Sequence, residues 1–308
     1  MFKGRDILSI LDFKRNEIEH IFEITNEMKK ILEKGKSNIL EGKILATAFF
    51  EPSTRTKLSF ETAMQRLGGS VIGFSEPSTS SIAKGENISD TIRMLDSYAD
   101  IIVIRHRLEG VAKLAAEIAN SPVINGGDGT HNHPTQSIID LYTIWDKFGK
   151  IDGLNICILG DLKYGRAAIS FIYGLTLFNP KKVFLVSPSL LKIRQEVRDF
   201  LKSVGLNIYE TESLEEVLSN CDVLYVTRIQ KERFPDPTEY EKVKGSYRIS
   251  IEMLKNAKEN LIILHPLPRI DEIDMNVDYT KYAYYFKQAA NGIPVRMSLL
   301  ALLLGAFE

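Results

Sequence analysis

Short apolar runs alternate with helix-patterned stretches along almost the whole chain, and this alternation limits the fold more than any single motif. The first half holds "KILATAFF" (43–50), "SVIGF" (70–74), "DIIVIR" (100–105) and "PVIN" (122–125). The second half holds "LNICILG" (154–160), "KVFLVS" (182–187), "DVLYVT" (222–227) and "LIILHP" (261–266). Such runs suit strands buried on both faces, and strands separated by helices pair in parallel with the helices packed over the sheet. At 308 residues with 44% hydrophobic content, the chain exceeds one usual domain and can build two cores. The expected fold is α/β, with two domains, each a parallel sheet flanked by helices. Within "HPTQSIIDLYTIWDKFGKIDG" (133–153), Ile138, Leu141, Trp145 and Phe148 keep one helical face, so a long helix joins the domains. The closing "NGIPVRMSLLALLLGAFE" (291–308) reads as another helix that needs covering and returns to the first domain.

Charge and cysteine usage narrow the function classes. Lys and Arg number 39 against 40 Asp and Glu, a formal charge of -1, which argues against a general nucleic-acid or membrane-surface binder. Any anion site must be local. Cys157 and Cys221 stand in apolar surroundings without metal-ligand spacing and read as buried thiols in a reducing, cytoplasmic setting. The opening residues lack the apolar stretch of a signal peptide, and "LLALLLGAF" near the end is too short to span a bilayer.

In open parallel sheets, ligands sit beyond the carboxyl ends of the strands, so the residues that follow each strand carry the most information. Those residues are "EPSTRT" (51–56), Arg105, "GGDGTHNHPTQ" (126–136), "GDLKYGR" (160–166), "RIQKER" (228–233) and "HPLPR" (265–269). Six strand ends thus carry an arginine or a histidine. In "EPSTRT", a helix follows at once, so unpaired amides and the positive helix end join three hydroxyls and Arg55 in a phosphate-like anion site. The plainer alternative is that Ser53 or Thr54 only caps the helix and Arg55 is solvated.

"GDLKYGR" spaces two glycines like a phosphate loop, but Arg166 and Ala167 stand where Lys and Ser/Thr belong, and no G-x-G-x-x-G is present. Arg166 is better read as a carboxylate or phosphate clamp, with a solvated helix-start arginine as the alternative. His131 and His133 lack persuasive third and fourth partners for zinc; a histidine and Gln136 suit hydrogen bonds to a carbonyl and an amide, or simple capping. The polar stretch "SEPSTSSIAKGENISDTI" (75–92) reads as a mobile loop bearing Lys84. In "HPLPR", two prolines fix the backbone and leave carbonyls available to accept from an amide or amine.

Taken in order, "FFEPSTRTKLSFETAMQRLGG", "SSIAKGENISDTIR", "IIVIRH", "GDGTHNHPTQSIIDLYTI", "GDLKYGR", "LYVTRIQKERF" and "LHPLPRIDEID" resemble the aspartate/ornithine transcarbamoylase family, most closely the catalytic chains of its aspartate branch. The resemblance covers nearly the whole chain. It implies a carbamoyl-phosphate domain of residues 1–133 and 291–308, an aspartate domain of residues 134–290, and a homotrimer with shared active sites. The implied reaction moves the carbamoyl group of carbamoyl phosphate to the amine of L-aspartate, an early step of pyrimidine biosynthesis, with no cofactor or metal. Carried over by position, Ser53, Thr54, Arg55 and Thr56 hold phosphate. Thr56, Arg105 and His133 surround the carbamoyl oxygen, and Gln136 with the carbonyls around Pro266, Leu267 and Pro268 receives amide or amino hydrogens. Arg166, Arg228 and Gln230 bind the aspartate carboxylates, and Ser80 and Lys84 come from the neighbouring subunit. A separate regulatory chain is a further implied partner.

Three departures from the family pattern stand out: Ala167 where Thr is frequent, Arg107 where Pro is common, and the altered "GGDGTHNHPTQ". None removes a residue given a role above. Ornithine as acceptor is the competing activity, disfavoured by Pro266 and by "TRIQ", which supplies a cation and an amide to a second carboxylate. A non-catalytic metabolite-binding member is disfavoured because no anion-binding residue is missing.

Overall fold

The structure is a computed structural model that describes residues 2–75, 84–234 and 236–307. Its contacts divide the chain into two units, Met1–Ile138 with Asn291–Glu308, and Ile139–Ala290. The first contains α1 (Arg15–Lys34), β1 (Ile44–Phe49), α2 (Thr54–Arg66), β2 (Ser70–Phe74), α3 (Ile88–Tyr98), β3 (Ile101–His106), α4 (Val111–Ile118) and β4 (Val123–Asp128). Helix α5 (Pro134–Phe148) then carries the chain across the division. In the second unit follow β5 (Asn155–Leu159), α6 (Arg166–Leu175), β6 (Lys182–Val186), α7 (Gln195–Ser203), β7 (Ile208–Thr211), α8 (Glu215–Leu218), β8 (Val223–Val226), α9 (Pro237–Val243), α10 (Ile251–Leu254) and β9 (Ile262–Leu264). Helix α11 (Tyr285–Leu303) leads back.

Both sheets are wholly parallel, with strand order β2-β1-β3-β4 in the first and β7-β6-β5-β8-β9 in the second. Each begins at an inner strand and grows to both sides. Strand order therefore reverses between β1 and β3, and again between β5 and β8. At such reversals the loops leaving neighbouring strand ends diverge, opening a crevice for a ligand.

The apolar runs are strands because both faces are covered. On one face of the first sheet, Ala46, Ala48, Ile102 and Ile104 pack with Ile92 and Leu95 of α3. In the second, Cys157, Leu159, Leu224, Val226 and Ile263 form one cluster with Tyr285. Gly160, just past β5, shows how tightly the reversal is built: its φ is +120°, and an added Cβ would lie 2.1 Å from the Thr227 carbonyl oxygen. Only glycine lets the ends of β5 and β8 approach so closely.

Two elements differ from the sequence expectation. β7 is an edge strand with a half-polar sequence, Ile208 to Thr211, so no apolar run marks it. α11 starts at Tyr285 rather than Asn291, because the Asn291–Gly292 pair, which looks like a turn, lies inside the helix with Asn291 buried. Among the described residues, no helix is long and apolar enough to cross a membrane.

Candidate active site

In the first unit, the turn after β1 delivers Ser53 as the residue preceding α2, with Thr54, Arg55 and Thr56 forming its first turn. The capping alternative predicts that the Ser53 hydroxyl accepts an amide of this turn, yet among the described residues no such bond is made. Ser53 is half-buried, Thr54 and Arg55 are exposed, and Thr56 is buried.

Arg105 enters from the adjacent strand. It lies in register with Phe49, and its carbonyl accepts the Phe50 amide at 2.8 Å. Its guanidinium donates to the Gly126 carbonyl at 3.2 Å and lies 3.6 Å from the Glu51 carboxylate, so it spans from the β1 turn to the end of β4. The "STRT" turn and Arg105 therefore flank the first strand-order reversal.

His133 comes from the loop between β4 and α5. That loop is braced by Asp128, whose carboxylate accepts from Asn125 Nδ2 at 2.9 Å, the Asn132 amide at 3.1 Å and the Gly110 amide at 3.0 Å. Buried His133 caps α5 through its carbonyl, which accepts the amides of Gln136 and Ser137 at 3.1 and 3.2 Å, and Pro134 opens the helix. Gln136 is half-buried in the first turn. His131 is exposed, with Asn132 Nδ2 2.8 Å from its Nδ1. Among the described residues, no three His, Cys, Asp or Glu side chains are grouped to hold a metal ion.

The second unit repeats the design. Gly165 precedes α6, which begins at buried Arg166, followed by buried Ala167. Across the second reversal, β8 ends at Val226 and delivers Arg228 and Gln230. Arg228 is ion-paired with Glu232, four residues on. Burial pulls the Glu232 carboxyl upward, but the Arg228 guanidinium, its own backbone amide and the Arg233 charge together outweigh this and hold it below its usual range.

Asp161 joins the two loops. Its Oδ1 accepts the amides of Lys163 at 3.1 Å and Tyr164 at 2.8 Å. Burial pushes its carboxyl up to about 6, partly offset by the field of these amides and those of Gln230 and Gly165. Arg228 also lines an open cleft with Gly160, Tyr240, Tyr247, Asp271 and Glu272.

Beyond β9, Pro266 and Leu267 are half-buried and Pro268 is exposed; the Leu267–Pro268 peptide is cis and Leu267 has a φ of 57°. Lys84 is described and exposed, whereas Ser80 lies outside the described residues. Both cysteines are free and buried, and burial raises the Cys157 thiol well above its ordinary value.

A common electrostatic feature links the turns. Helices α2, α5 and α6 have no acidic residue in their first turn, as is also true of α4 and α11, while α1, α3, α7 and α9 carry Glu17, Asp90, Glu196 and Glu239 there. An acidic side chain normally offsets the positive helix end. At α2, α5 and α6 no first-turn side chain does so.

Comparison with known proteins agrees with this geometry. Residues 5–146 match the family described as aspartate/ornithine carbamoyltransferase, carbamoyl-P binding domain, and residues 152–303 match the Asp/Orn binding domain of the same family. The chain belongs to the aspartate/ornithine carbamoyltransferase family. It is 60% identical over 306 residues to the aspartate carbamoyltransferase catalytic subunit of Hyperthermus butylicus, covering 99% of this chain and 97% of that one. Against the corresponding subunit of Staphylothermus marinus, identity is 58% over 308 residues, covering 100% and 99%.

Among solved carbamoyltransferase structures, the catalytic subunit of M. jannaschii aspartate transcarbamoylase matches with a TM-score of 0.90, 51% identity and 98% of each chain covered. The Trypanosoma cruzi enzyme in complex with carbamoyl phosphate matches with a TM-score of 0.93, 40% identity and coverage of 98% and 97%. The Asp/Orn domain match runs to residue 303 and so takes in α11, whereas contacts assign residues from Asn291 onward to the first unit.

Proposed function

We propose that this carbamoyltransferase moves the carbamoyl group of carbamoyl phosphate to the α-amine of L-aspartate, giving N-carbamoyl-L-aspartate and phosphate. The observation that carries the reading is the pair of strand-order reversals, each flanked by an arginine-bearing turn that opens onto an acid-free helix start. The first unit, residues 1–138 and 291–308, takes carbamoyl phosphate, and the second, residues 139–290, takes aspartate. Ser53, Thr54, Arg55 and Thr56 hold the phosphoryl oxygens through hydroxyls, amides and guanidinium. Arg166 and Arg228 pair with the two aspartate carboxylates, and Gln230 donates an amide hydrogen to one of them.

Attack of the amine nitrogen on the carbamoyl carbon forms a C–N bond and places charge on the carbamoyl oxygen. Thr56, Arg105 and His133 donate to that oxygen. Collapse breaks the C–O bond to phosphate, which leaves with the electron pair and accepts the amine proton. Gln136 and the carbonyls around Pro266, Leu267 and Pro268 hold amide or amino hydrogens, fixing the approach. No side chain need become a covalent nucleophile. The assembly is a cytoplasmic homotrimer in which Ser80 and Lys84 serve a neighbouring site, and a separate regulatory chain is a compatible partner.

The test is turnover of purified protein with chelator present, comparing aspartate and ornithine as acceptors. Carbamoyl aspartate and phosphate should appear in equal amounts. Preference for ornithine, or no carbamoyl aspartate at all, would overturn the proposal.

A further inference from the structure

His265 is almost wholly buried, and its amide and both ring nitrogens are engaged. Its amide donates to Gln288 Oε1 at 2.7 Å, and Gln288 Nε2 donates to Asp140 Oδ1 at 2.6 Å, tying the end of β9 to α11 and α5. In the ring, Nδ1 accepts the Leu267 amide at 2.8 Å, which leaves the proton on Nε2, 2.7 Å from Glu272 Oε1. The other Glu272 oxygen accepts the amides of Ile270 and Asp271, both at 3.1 Å. One histidine and one glutamate thus hold three backbone amides of the segment 267–271.

Leu267 needs this hold. Its φ of 57° lies in the left-handed region, which a leucine occupies only where its surroundings enforce it. The enforcing bond is that from the Leu267 amide to His265 Nδ1. Rotation of the peptide units around Leu267 would re-aim its carbonyl.

We propose that His265, through Nδ1, is a positioning residue that fixes the direction of the Leu267 carbonyl toward the reacting nitrogen. The inference rests on the reaction proposed above. Burial lowers the tendency of His265 to protonate and outweighs the opposing pull of Glu272, with the Arg269 and Arg228 charges acting in the same direction as burial. Nδ1 therefore stays an acceptor at neutral pH. Two variants separate the ring's two bonds. His265→Asn places an oxygen near the Nδ1 position and accepts the Leu267 amide as an Asx turn, but cannot reach Glu272. His265→Gln reaches Glu272 but offers nothing at the Nδ1 position.

The experiment measures kcat, carbamoyl-phosphate binding, melting temperature and amide exchange of the peptide containing Leu267. A misplacement near 1 Å costs on the order of a hundredfold in rate, so His265→Gln should lose at least about tenfold in kcat with carbamoyl-phosphate binding unchanged. Its Leu267 peptide should exchange faster. His265→Asn should keep both kcat and protection near wild type. Equal kcat in the wild type and both variants, or equal loss in both variants that follows melting temperature alone, overturns the positioning role. A wild type inactive with carbamoyl phosphate and aspartate overturns the proposed reaction, and this inference with it.

Discussion

Replacing Asp161 with asparagine should make the protein more stable at neutral pH and poorer at using aspartate. In the unfolded chain this carboxyl titrates near 3.8, and burial pushes it up to about 6 in the folded one. A raised carboxylic acid binds its proton more tightly when folded, so its contribution to stability is fully present below the unfolded value. That contribution is lost as pH rises through about 6. A displacement of roughly two pH units corresponds to about 3 kcal/mol, of which roughly 1–2 kcal/mol develops between about pH 7 and about pH 5. Asp161→Asn stays neutral throughout and retains an oxygen for the Lys163 and Tyr164 amides, so this component of the pH dependence should vanish. Urea unfolding of both proteins at the two pH values measures the difference of differences. An identical pH response in both would refute the assignment. In the kinetic arm, the charge that draws the Gln230 and Gly165 amides is gone, so KM for aspartate should rise while carbamoyl-phosphate binding stays the same.

Arg228→Ala should raise KM for aspartate by about tenfold, the net of a bidentate charge-assisted pair and the Glu232 contact it replaces, and leave direct binding of carbamoyl phosphate within error. Equal losses for both ligands would show that Arg228 acts on the fold rather than on the acceptor. Lys84→Ala and Arg55→Ala should each nearly abolish turnover alone, yet unfolding and reassembling them together should restore about one site in four if a trimer shares its sites. Mixed trimers confirmed by mass with no activity above the parents would return Lys84 to its own subunit or to the solvated surface.

What could be read in advance follows from which information is local. Eight of the strands announce themselves as short apolar runs, most of them because a parallel strand covered on both faces is continuously apolar, as Ile101 to Ile104 and Ile156 to Leu159 are, while β2 keeps the signal although its edge position leaves it partly exposed. β7 does not, since an edge strand can expose Tyr209 and carry Glu210. The strand-end cations were legible one by one, but the reversals that explain them depend on pairing between distant segments, such as Leu159 with Val226. For the same reason Asp161 passed as part of a glycine-spaced loop. Its partner amide, that of Gln230, comes from the loop after β8. His265 carries no local signal beyond its place in "HPLPR", since its buried bonds to Leu267 and Glu272 exist only once the segment folds back. Family resemblance added Ser80 and gave a site role to Lys84, which the local pattern places only on a polar loop.

A nearly neutral chain that binds two multiply charged anions must keep its cations aimed without leaving them costly to bury. Arg105 has Glu51 within 3.6 Å, and Arg228 has Glu232, each carboxylate coming from the neighbouring turn or from the same loop. Desolvating an unpaired guanidinium would cost several kcal/mol; a partner held nearby removes much of that cost and limits the rotamers the arginine explores. An anionic ligand then exchanges one carboxylate or phosphate contact for another, and the net gain in ground-state affinity is modest. The orientation of the guanidinium has already been set, which favours interactions that strengthen only as charge develops on the reacting oxygen. Acid-free helix starts add a field that no side chain has to move to supply. Together these features make selectivity a matter of placement, with local positive potential at the two reversals and no excess of positive charge over the rest of the surface.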